Sequence, residues 1–92
     1  MGEDWLRHAP RRAAAPPAEL RRWILAALSD GEERCVVEVA WDVWADGLDD
    51  PRPPWWRWFR GRVRTQLRLL YRRGVLGRCE RDRDGHAYYR KT

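Results

Sequence analysis

Ninety-two residues at a formal net charge of +5 make one small domain, near the size at which a single core is barely stable without staples. No apolar run approaches the roughly 20 residues of a membrane span, and the opening Met-Gly-Glu-Asp-Trp shows no basic segment leading into an apolar stretch, so neither a membrane partner nor secretion is expected and the chain reads as cytoplasmic. Cys35 and Cys79 have no Cys or His at metal-ligand spacing, so no metal is expected, and two buried thiols are expected rather than a disulfide.

The charge is unevenly placed. From Pro51 onward, twelve Arg and Lys91 face three acids, Glu80, Asp82 and Asp84, whereas the preceding part sets six Arg against eleven acids. The two parts come to about +10 and about −5, an asymmetry that points to a polyanion-binding face. A GC-rich coding sequence would favour Arg over Lys, but it would not confine the acids to the first part.

Residues 1–15 hold Arg11, Arg12 and few apolar side chains, and are expected to form a flexible arm ahead of a domain over 16–92. Pro16-Pro17 opens a first helix, since proline is tolerated where its missing N–H costs nothing. Leu20, Trp23, Ile24, Ala27 and Leu28 then fall on one helical stripe, and Ser29-Asp30-Gly31 ends it. Arg34–Val37 is a candidate strand. Beyond it, Val39 and Val43 suit a short helix ending at Asp46-Gly47, yet alternation through Val37, Val39, Trp41 and Val43 suits a longer strand equally well. Leu48–Pro54 is a proline-rich loop.

A third helix is expected over 54–73, with Gly74 as its stop. Its apolar residues, Trp56, Phe59, Val63, Leu67, Leu70 and Tyr71, fall within an arc of roughly 120° at ~100° per residue. Gly61, Thr65 and Arg72 lie opposite. Arg57, Arg64 and Arg68 form one flank of the outer face, Arg62 and Arg73 the other, and Arg60 sits near the core edge. Of Trp55, Trp56 and Trp58, packing is expected for Trp56, and at least one of Trp55 and Trp58 should be largely exposed. The last segment is a hairpin, Val75–Glu80 and His86–Arg90, turning at Arg81-Asp82-Arg83-Asp84-Gly85.

The stretch from Val63 to Arg90 carries Val63, Leu67, Leu70, Gly74, Val75 and Leu76, then Asp84-Gly85 and Tyr88. In that pattern the chain resembles the winged helix-turn-helix family of DNA-binding domains, notably small prokaryotic transcriptional regulators. Ala18–Leu28 and Val36–Trp44 fill the places of its first two helices, so the likeness covers about three quarters of the chain. The resemblance implies an α+β fold: three helices plus a small antiparallel sheet with a C-terminal β-hairpin wing. Two features depart from the family, the long proline-rich segment Gly47–Pro54 and the aromatic start of the basic helix.

The resemblance implies a sequence-specific double-stranded DNA-binding protein, with helix 54–73 in the major groove and the wing tip, 81–86, on flanking backbone or minor groove. Arginine can pair in bidentate fashion with guanine O6 and N7, and Thr65 can touch a thymine methyl. Arg62, Thr65 and Arg68 are the expected base readers. Arg57, Arg64, Arg72, Arg81 and Arg83 are expected on phosphate, with His86 beside them at the wing tip, and Gly61 lets backbone approach closely. The bland reading of these charges is a solvated helix face and a solubilised turn. The rival reading is a winged-helix interaction module of a replication, phage or plasmid assembly, binding a protein partner or forming a homodimer through Trp55 and Trp58. No Gly-rich phosphate loop or nucleophile elbow is present, and His8 and His86 have no acid or nucleophile at useful spacing, so neither an enzyme nor a cofactor is expected.

Overall fold

The computed structural model describes residues 14–44, 55–80 and 87–92. Within them the chain is α+β: three helices and a three-stranded antiparallel sheet. The elements are α1 (Pro17–Ala27), β1 (Arg34–Cys35), α2 (Val36–Trp44), α3 (Trp55–Arg72), β2 (Leu76–Glu80) and β3 (Ala87–Lys91). Among these helices none is long and apolar enough to cross a membrane.

Helix α1 starts on Pro17 and buries Leu20 and Ile24 completely, with Leu28 joining them just past its end. Ser29 closes it by donating its hydroxyl to the Ala26 carbonyl at 2.7 Å, and Gly31 follows at φ +79, a left-handed conformation that glycine takes without steric cost. Ala15, expected in the arm, is instead 5% exposed and part of the core.

Cys35 is followed at once by α2, so the strand is shorter than the expected Arg34–Val37 and the ambiguous segment is a helix. Two features favour that outcome. Val39, Ala40 and Val43 are buried together, a helical stripe that alternation would have split. The Glu38 carboxylate also accepts the Cys35 backbone N–H at 3.0 Å, the reaching-back half of a capping box.

Helix α3 buries Trp55, Trp56, Phe59, Val63, Leu67 and Leu70. Tyr71, expected within the apolar arc, is 43% exposed. It lies at the arc's edge in the last turn, and the Arg78 guanidinium stands 5.9 Å from its ring centroid. The helix ends in a Schellman motif: Gly74, at φ +78, donates to Tyr71 and Val75 donates to Leu70, both at 3.0 Å, which satisfies carbonyls the helix leaves open.

In the sheet β3 lies between β1 and β2. Tyr88 is opposite Cys35 on one side and Cys79 on the other. The two cysteines are thus separated by two strand spacings, about 9–10 Å, beyond the reach of a disulfide. Neither is in a disulfide, but only Cys35 is buried, and burial pushes its thiol pKa up. Cys79 is exposed, so the expectation of two buried thiols holds for one.

The tryptophans differ from expectation in one respect. Trp55 is 7% exposed and Trp56 4%, and both belong to the core cluster. Trp56 packs on Trp41 of α2 at 5.1 Å between ring centroids, and Trp55 meets Phe59, one turn on, edge to face at 6.4 Å. Trp58 is half-buried against the same core. Neither Trp55 nor Trp58 is the largely exposed residue that the helical wheel suggested.

Candidate nucleic-acid interface

The sequence of α3 holds six arginines and no acid. Packing then divides them. Arg57, Arg64, Arg68 and Arg72 are exposed, as is Thr65, so the face opposite the buried stripe is cationic along the helix. Arg34 forms ion pairs with Asp30 at 2.7 Å and with Asp42 at 3.0 Å. Arg34, in the acidic part, is neutralised by carboxylates; the exposed arginines of α3 meet none among the described residues.

Gly61 lies on the same outer face, and a Cβ built there would meet nothing within 4 Å. Packing therefore does not require glycine, although glycine costs a helix interior about 1 kcal/mol relative to alanine. Thr65 donates its hydroxyl to the Gly61 carbonyl at 3.1 Å. Its hydrogen is used within the helix, leaving the oxygen lone pairs and the methyl group for an external contact.

Arg62 is placed differently from its neighbours. Its guanidinium donates to the Ala15 carbonyl and stands 5.3 Å from the Trp58 ring centroid. Burial pulls its pKa down, yet a guanidinium remains charged at neutral pH. One turn away, Arg21 of α1 donates to Gln66 at 2.9 Å. This flank of α3 is thus turned to the N-terminal segment and α1, not to the outer face.

The opposite flank forms a hollow of about 330 Å³ against the sheet, lined by Arg60, Arg64, Arg68, Arg78, Val36, Val37, Ala87 and Tyr89. Arg60, Arg64 and Arg68 follow one another at four-residue intervals. Arg78 arrives from β2 because it is paired with Tyr89 across the strands, which puts both on the side facing α3. Sequence reasoning set Arg60 aside as too close to the core and did not single out Arg78. The alternation of Leu76 and Arg78 was visible, but which helix that face would meet was not.

Arg81, Arg83 and His86 lie outside the described residues. No group of His, Cys, Asp and Glu that could hold a metal is found among the described residues. No protein-family model, curated protein or solved structure matches the chain.

Proposed function

We propose that the chain is a sequence-specific double-stranded DNA-binding protein of winged helix-turn-helix type, acting in transcription regulation. The observation that carries this reading is the acid-free outer face of α3, where Arg57, Arg64, Arg68 and Arg72 are exposed. A helix of this kind fits the B-DNA major groove, about 12 Å wide. In the proposal Thr65 and Arg68 meet base edges, Arg57, Arg64 and Arg72 meet phosphates, and segment 81–86 contacts flanking backbone or the minor groove. Arg62 supports the face by holding the Ala15 segment. The arrangement of three helices on a small hairpin sheet is compatible with this mode of binding.

The interaction-module reading depended on an exposed tryptophan on the same helix. Burial of Trp55 and the Arg62 guanidinium over half-buried Trp58 reduce that surface, which favours DNA as the proposed partner. Selection from random duplexes, repeated across salt concentrations, tests the proposal. It should enrich a shared sequence, and log affinity should fall with log salt with a slope of roughly −3 or steeper, about −0.9 for each phosphate neutralised. Retention no better than that of a sequence-scrambled polyanion would overturn it.

A further inference from the structure

The hollow between α3 and the sheet combines features that an outer DNA-reading face does not need. Four guanidiniums line it and no carboxylate does. Three of them, Arg60, Arg64 and Arg68, stand one helical turn apart, a spacing at which like charges repel. Arg60, Arg64 and Arg68 form no ion pair with any described residue, whereas Arg34 holds two carboxylates. Such a cluster is relieved by an anion carrying several charges close together.

The shape narrows the class of ligand. A volume of about 330 Å³ falls at the lower end of small-molecule sites, about 300–1,000 Å³. It is too small to take a duplex bodily, and Arg60 is half-buried, so Arg60 is met only by a group that enters. Val36 and Val37, the first residues of α2, line the wall. The nearby Glu38 carboxylate is turned back onto the Cys35 N–H. Val36, Val37, Ala87 and Tyr89 leave an apolar surface beside the charges, suited to the organic part of a phosphorylated ligand.

We propose that this hollow binds a free oligophosphate group, two or more linked phosphates of the kind a nucleoside di- or triphosphate carries. Arg64 and Arg68 also belong to the outer face, so on the DNA reading the ligand and a duplex exclude one another and the hollow is a regulatory site. The binding itself does not depend on that reading. Arg60 and Arg78 line the hollow without belonging to the outer face of α3.

The test titrates the full chain with inorganic tripolyphosphate by calorimetry, with sulfate at matched ionic strength as the control. Saturable one-to-one binding is expected, accompanied by a melting temperature that rises with ligand concentration. Arg60→Ala should weaken it about tenfold or more, the loss of a charge-assisted contact, whereas Arg57→Ala, outside the hollow, should change it less than about twofold. If Arg60→Ala melted abnormally, Arg78→Ala on the sheet side would take its place. No saturation, or equal losses in the Arg57 and Arg60 variants, overturns the proposal, since both describe diffuse attraction. If Arg60→Ala weakened duplex binding while tripolyphosphate bound no better than sulfate, the hollow would serve a DNA backbone phosphate and the proposal would fall. Tripolyphosphate binding in a chain that ignored every duplex would uphold the site and overturn the DNA reading instead.

Discussion

Arg34 grips Asp30 through two parallel hydrogen bonds, Nη1 to Oδ1 at 2.8 Å and Nη2 to Oδ2 at 2.7 Å. The same guanidinium donates to the Ala27 carbonyl at 3.1 Å and lies 3.0 Å from Asp42. One side chain therefore joins the end of α1, the turn after it, the first strand and the body of α2.

This clamp gives fold stability an acid limit. Its guanidinium partner, first, and the Glu32 backbone N–H, second, hold the Asp30 carboxyl well below the ordinary carboxylate range. A depressed pKa contributes stability above the unfolded value, about 3.9, and loses it as pH falls toward the folded value. Melting temperature should accordingly be insensitive to this pair near pH 7 and decline below about pH 4. Asp30→Asn should melt lower at pH 7 and show a flatter decline below pH 4. Identical acid profiles in parent and variant would show that the clamp contributes nothing.

The core makes a separate prediction about the face of α3. Leu67 is fully buried, so Leu67→Ala should cost roughly 2–5 kcal/mol in chemical denaturation. Leu69 is half-buried on the outward side, and its truncation should cost ~1 kcal/mol or less. Equal losses would mean that α3 is rotated about its axis, with Leu69 turned toward the core.

The limits of sequence reading follow from where each signal resides. Leu20 and Ile24, like Val63, Leu67 and Leu70, sit on helices whose period is carried by many residues, and both helices were legible. The segment Val36–Trp44 is too short for that. Its valines fit periods of 2 and 3.6 alike, and the choice rests on Glu38 reaching back to Cys35 and on buried Ala40, neither of which periodicity weighs. Trp55 looked peripheral on a helical wheel because a wheel describes one helix, whereas the core cluster it joins draws residues from several elements. The exposed arginines Arg57, Arg64 and Arg68 needed only the angle around α3. The hollow needed more: Arg60 and Arg78 are brought together by how β2 registers on β3 and how the sheet meets α3.

On the outer face, Arg68 and Arg57 should fail in different ways. Arg68→Ala should relax preference at one base pair and weaken the selected sequence by roughly 1–3 kcal/mol. Arg57→Ala should weaken all duplexes alike and flatten the salt slope by about one unit. Competition binding across a panel of single-base variants reads both effects. Parent-like behaviour of both would remove α3 from the groove.

Gly61 offers the sharpest separation of folding from binding. It lies in the interior of α3 with nothing within 4 Å of a built Cβ, so Gly61→Ala should raise stability by about 0.5–1 kcal/mol through lower chain entropy and better helix propensity. If α3 enters a groove, the missing side chain is what lets its backbone approach, and a bulky residue there should push the helix away. Gly61→Leu should therefore fold at least as well as the parent and bind the selected duplex at least tenfold more weakly, a cost of about 1.4 kcal/mol. Thermal melts and duplex titrations on the same preparations give both values. A stabilised Gly61→Leu variant with undiminished duplex affinity would show that this face of α3 meets no DNA, leaving its arginines as a solvated surface.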